Sequence, residues 1–345
     1  MIRAGVGLAL ALSTLISVPA VPVTAQSSQS TANAVLTPVE REAYLMGTRA
    51  RMVAHAADRA AGLAILDTAL RALEDTEAEL STWRPDSAIS VFNRSPVGTP
   101  WTANAALCSM FDEVYRWRAA TAAAFDPAIG ALTAAWGIHE TGRIPSPDEI
   151  AASLARSGLD PIAFDRAACT LTRTTGVTLD VGAFGKGEAL DRASAALLHT
   201  AWLIDLGGQV SVGGLQADGS PWTIDIADPR DRERPLLQVH MRHGSLATSA
   251  GSERDQTADR LRVGHILDPR TGRPARFRGS VTVWHARSLV ADMLSTALYV
   301  MGPENGISWA EARGLSALFL IPEGAEVRVR ATTAFERHLP TQKVD

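Results

Sequence analysis

Residues Asp180–Asp191 read DVGAFGKGEALD. A short strand-like run, Val177–Leu179, precedes them and an alanine-rich helical pattern, Glu188–Leu198, follows, so Gly182, Gly185 and Gly187 are expected at a strand-to-helix turn. Glycine lets the backbone bend sharply there and lets a ligand approach bare amides and carbonyls. Lys186 adds a cation among Asp180, Glu188 and Asp191, a mixture suited to a phosphate held together with a metal ion. The segment is neither G-x-x-x-x-G-K-[ST] nor G-x-G-x-x-G, so neither nucleotide motif applies. Taken alone, it fits a tight turn with a solvated lysine equally well.

The chain opens with Arg3, an apolar stretch from about Val6 to Val18, and Val23-Thr24-Ala25 before Gln26, the pattern of a secretory signal peptide over residues 1–25. Pro19 and Pro22 interrupt the apolar part, which is short for a membrane span. A mature protein that is soluble, periplasmic or otherwise exported, and not integral to a membrane is therefore expected. Removing residues 1–25 takes away Arg3 and no acid, so the formal net charge moves from -4 to -5 and nothing suggests a nucleic-acid partner. Cys108 and Cys169 are the two cysteines. An oxidising compartment permits a disulfide between them, and two separately buried thiols fit the sequence as well.

Residues 26–40 read as a flexible lead-in, 41–325 as one domain, and 326–345 as a C-terminal tail. Glu42–His55 alternates loosely and suggests a strand containing Met46-Gly47-Thr48. Leucines at 63, 66, 70, 73 and 80 recur at helical spacing over Asp58–Trp83, which makes them core. Further helices are expected over Ala88–Asn93, Asn104 to about Ala120, after the Ser146/Glu149 capping box, and over Leu289–Met301. Strands are expected at Ala201–Leu206, Val210–Val212, Trp222–Ile226, Leu237–Met241, Val281–Trp284 and Leu315–Ile321. These lengths do not repeat as βαβ units, so the fold class is α+β, with a mixed or largely antiparallel sheet and flanking helices.

Asp292 and Thr296 lie four residues apart in VADMLSTALYV, which puts both oxygens on one helix face with Ser295 beside them. A carboxylate and a hydroxyl among apolar neighbours are hard-oxygen ligands for Mg²⁺; a dipole-favoured acid and a threonine bonded to the preceding turn are the plainer account. His265, in Gly264–Gly272, has the chemistry of a general base, but it is one of eight histidines. Thr248–Arg254 reads as a polar loop suited to an anion or to an ordinary turn.

Taken together and in this order, these segments resemble the ApbE family of FAD:protein FMN transferases. Met46-Gly47-Thr48, Thr82–Ser87, Phe125-Asp126-Pro127, Asp180–Asp191, Leu206-Gly207-Gly208, Thr248-Ser249, His265–Gly272 and Ala291-Asp292 with Thr296 carry the resemblance, which runs from about residue 43 to 322. It implies an ApbE-like, T-fold-related architecture. It also implies Mg²⁺ ligands at Asp292, Thr296, the Gly185 carbonyl and, as in some members, Ser295. Flavin contacts are implied at Met46, Trp83, Ala124, Phe125, Asp126, Gly182, Glu188 and Ile266, with His265 as the base for the acceptor hydroxyl. The implied reaction moves FMN from FAD to a threonine or serine of an exported redox protein and releases AMP. Hydrolysis of FAD to FMN and AMP, and flavin binding without turnover, are the alternatives.

Overall fold

The alternating apolar residues of the chain pair into an eight-stranded sheet in the order Thr37–Leu45, Thr48–Ala56, Ala201–Leu206, Gln209–Gly213, His243–Ala250, Ser280–His285, Ser316–Glu323 and Glu326–Ala331. Each neighbouring pair is antiparallel. The structure, a computed structural model, describes residues 36–197, 200–251, 256–258 and 261–344. Among the described residues the helices are α1 (Arg59–Leu80), α2 (Ala88–Arg94), α3 (Ala105–Ala120), α4 (Gly130–Ala135), α5 (Pro147–Leu154), α6 (Gly185–Ala196), α7 (Ser288–Glu311) and α8 (Thr333–His338). No helix among these residues is long and apolar enough to cross a membrane.

Strand periodicity separates the two faces of the sheet. Met52, Ala54, Ile204 and Leu206 pack beneath α1 and α6, and Ala247, Val281, Val283, Ala317 and Phe319 pack beneath α7. Their neighbours Val53, Leu203, Leu246, Leu318 and Leu320 face the other way, onto a small sheet of Trp222–Asp228, Asp231–Met241 and Gln342–Lys343. The layers are therefore helices, main sheet and small sheet, an α+β arrangement. The first turns of α7 are buried on every side, which explains why this stretch is apolar throughout apart from a few polar residues that have work to do. The α7 backbone leaves helical geometry at Gly302 (φ 74°, ψ 170°), just before Pro303.

Several expectations need correction. Met46-Gly47 is the turn of a hairpin rather than the middle of one strand, with φ of 51° and 70°. Residues 37–40 belong to the first strand, and the expected tail forms the last strand of the main sheet, α8 and Gln342–Lys343. Val177–Leu179 pairs with no strand among the described residues: Asn93 clasps both the N–H and the C=O of Leu179, and Gly130 N–H donates to Thr178 O. Thr248 and Ser249 lie in the strand His243–Ala250 rather than in a loop. Cys108 and Cys169 form a disulfide that ties α3 to the turn before the strand Thr170–Arg173.

Candidate active site

The glycine stretch is built around the contact between α6 and α7. A Cβ on Gly187 would lie 2.5 Å from Ser288 O and 2.9 Å from Asp292 Cβ, so only glycine lets the helices come this close. That approach brings Gly187 N–H to Asp292 Oδ2 at 3.0 Å and Lys186 Nζ to Asp292 Oδ1 at 3.4 Å. Asp191, on the same helix, accepts from Ser288 N–H and from Leu289 N–H (3.3 Å), capping the start of α7. Its carboxylate is thus occupied in the frame and does not belong to the cluster around Lys186.

Two adjoining clefts of about 160 and 720 Å³ open over this junction and share Ile138, His139, Asp180, Gly182 and Lys186. Together they fall within the roughly 300–1,000 Å³ of small-molecule sites. The first gathers Ala124, Phe125, Asp126, Gly182, His265, Ile266, Asp292 and Thr296, together with Thr248 and Ser249. The second gathers Met46, Trp83, Gly182 and Gly185. Residues from seven separate stretches of the chain therefore converge on one place.

Glu188 and Ser295 line neither cleft. Glu188 is buried and paired with Arg192 at 2.7 Å, and Arg192 also binds Glu79 at 2.6 Å, which ties α6 to α1. Burial pushes the Glu188 carboxyl above its ordinary pKa, against the pull of Arg192. Ser295 lies behind Asp292, donating to Asp292 O at 2.9 Å, with its oxygen 2.9 Å from Ser249 Oγ. Asp126 borders the first cleft, but its carboxylate accepts from Ala128 N–H, Leu159 N–H and Arg118 Nε, so it organises the Phe125 loop. Burial raises its pKa and those three hydrogen bonds oppose the rise. Ala122 and Ala123, at φ 49° and 58°, turn this loop so that Ala124 and Phe125 meet the cleft.

The residue that sequence reasoning missed is His139. Its Nε2 lies 2.6 Å from Asp180 Oδ2, while Asp180 Oδ1 accepts from Gly182 N–H at 2.8 Å. The ring meets Trp83 edge-on, with centroids 5.3 Å apart and planes at 77°. His139 lies outside any helix or strand, with no periodic neighbour to mark it.

The donor chemistry at Asp292 fits a hard cation. The Asp292 carboxylate faces the cleft with the hydroxyls of Thr296, Thr248 and Ser249, and no group of three or more His, Cys, Asp or Glu suited to a metal gathers among the described residues. A single charged ligand with hydroxyl and main-chain oxygens suits Mg²⁺, which keeps other positions for water and phosphate oxygens.

Residues 46–319 match the sequence profile of the ApbE family. The chain belongs to the ApbE family. Among its relatives, the FAD:protein FMN transferase of Treponema pallidum is 31% identical over 316 residues, covering 85% of this chain and 86% of that protein. The FAD:protein FMN transferase of Vibrio cholerae is 29% identical over 279 residues, 78% of this chain and 83% of its own length. The ApbE protein of Thermotoga maritima superposes with a TM-score of 0.81 at 27% identity, covering 88% of this chain and 99% of the other. The apo flavinyl transferase ApbE of Pseudomonas stutzeri gives 0.78 at 28% identity, with coverage of 88% and 97%. The ApbE fold is thus shared across nearly the whole length of those structures.

Proposed function

We propose that this chain is a Mg²⁺-dependent FAD:protein FMN transferase that acts on a threonine or serine hydroxyl of an exported redox protein. The observation that carries this reading is the convergence of His265, Phe125, Lys186, Asp292 and Thr296 on one cleft that continues into a second lined by Met46 and Trp83. A dinucleotide needs such a double site, with cationic and metal-binding groups at its middle. Asp292, Thr296 and the Gly185 carbonyl would hold the metal, with Ser295 supporting Asp292 and Ser249 from behind. When bound, Mg²⁺ offsets charge on the pyrophosphate.

The chain's own groups have separate tasks. Lys186 places a cation beside Asp292 where the phosphates would lie. Trp83 offers a largely exposed ring for stacking, and Met46 and Ile266 supply apolar walls. His265 takes the proton of the acceptor hydroxyl. Its oxygen bonds to the flavin-side phosphorus as the bond from that phosphorus to the bridging oxygen breaks, and AMP leaves with that oxygen. The Cys108–Cys169 disulfide supports an oxidising, extracytoplasmic location. The expected signal peptide lies outside the described residues. The test is a flavin-fluorescence gel of acceptor, FAD, Mg²⁺ and enzyme after denaturation: a fluorescent acceptor band that disappears with EDTA is expected, and an unlabelled acceptor refutes transfer.

A further inference from the structure

Where the two clefts meet, three groups form one hydrogen-bonded unit. Asp180 is held by its own N–H, which donates to Pro127 O at 2.8 Å, by Gly182 N–H on one carboxylate oxygen, and by His139 on the other. A carboxylate accepts, so the proton of this bond sits on Nε2 and the plane of the imidazole is set by Asp180. The Asp180 side chain is 12% exposed and that of His139 41%. The carboxylate therefore belongs to the frame and the imidazole to the cleft. Trp83, 70% exposed, stands edge-on to that imidazole, a large apolar ring left open to solvent beside an oriented polar one.

We infer that His139 is a substrate-positioning residue: held by Asp180 beside Trp83, it contacts a ring of the dinucleotide where the clefts join. This rests on the flavin-transfer reading. A ring lying on Trp83 would meet the imidazole at its border, so Trp83 supplies area and His139 fixes where the ring stops. Because Asp180 also holds the Gly182 turn ahead of Lys186, the ring contact and the phosphate-facing lysine are kept in register by one carboxylate.

The test uses His139→Ala and His139→Gln in the full enzyme, with calorimetric titration of FAD, FMN and AMP and steady-state transfer assays. Glutamine can still donate to Asp180 but presents no ring. Both variants should bind FAD about 5–10-fold more weakly, the scale of one aromatic contact. The KM for FAD should rise in step while kcat at saturating FAD stays within about threefold, and glutamine should restore the Tm. The FMN and AMP titrations show which half of the substrate is held, because only one should weaken. Glutamine restoring FAD affinity would reduce His139 to a prop for Asp180, and FAD affinity within twofold of wild type in the alanine variant would overturn the inference outright. Wild-type protein that binds FAD but never flavinylates an acceptor sinks the transferase reading and leaves the binding result for His139 standing.

Discussion

Replacing Gly187 with alanine probes the α6–α7 contact that places Asp292. The new Cβ would lie 2.5 Å from Ser288 O, 2.7 Å from Leu289 Cα and 2.9 Å from Asp292 Cβ, and the two closest atoms are backbone that cannot swing aside. The shortest of these is about 0.9 Å inside an ordinary 3.4 Å contact, so the helices must separate by roughly that much. The Gly187 N–H to Asp292 Oδ2 bond, now 3.0 Å, would stretch to about 3.9 Å and be lost. Overpacking of this kind costs about 1–3 kcal/mol, or a Tm fall of roughly 2–5 °C for a domain of this length. A displacement near 1 Å at a reacting centre slows catalysis by about 10²-fold. Gly176→Ala is the control, because its Cβ would meet nothing within 4 Å and it lines neither cleft. Thermal unfolding and FMN incorporation should both suffer in the Gly187 variant and neither in the Gly176 variant. Equal Tm and turnover for Gly187→Ala and wild type would refute the packing argument.

The remaining predictions address single groups. Asp292→Ala should abolish transfer with far-ultraviolet circular dichroism unchanged, and Thr296→Ala should weaken Mg²⁺ dependence less; full turnover of Asp292→Ala at limiting Mg²⁺ would remove Asp292 from the metal site. His265→Ala should keep FAD affinity and slow transfer by about 10²–10⁴-fold, and a wild-type rate would send the search for the base elsewhere. Tryptophan fluorescence should be quenched by FAD, and Trp83→Ala should lose much of that quenching; undiminished quenching would place the flavin away from Trp83. Cys108→Ser with Cys169→Ser should lower urea stability by about 2–4 kcal/mol, given a closed loop of 61 residues, and a reductant should destabilise wild type but leave the double variant unmoved.

What the sequence made legible follows from which physics is local. The α1 leucines, the Ser146 capping box and the Asp292/Thr296 spacing are set by residues within a turn or two of one another, and each appears in the structure, with Leu66, Leu73 and Leu80 buried and Leu63 and Leu70 half-buried against the core. The Met46-Gly47 hairpin escaped because its strands alternate only loosely and its turn carries Met, a residue that seldom adopts positive φ. The last strand, EVRVRA, escaped because charged residues on its exposed face made it read as tail. The family resemblance implies a flavin contact at Glu188, yet helical geometry turns its carboxylate towards Arg192 and it lines neither cleft. The order of motifs showed the family, whereas the His139–Asp180 pair joins residues 41 positions apart and could be seen only in three dimensions.

The most direct test of the central claim is intact mass spectrometry of an exported redox protein incubated with this enzyme, FAD and Mg²⁺, with AMP quantified in the same reaction. The account predicts an acceptor heavier by one FMN phosphoester on a single threonine or serine, one AMP released for each FMN attached, and no mass change when that hydroxyl residue is replaced by alanine. Free FMN and AMP accumulating while the acceptor mass stays unchanged would contradict it.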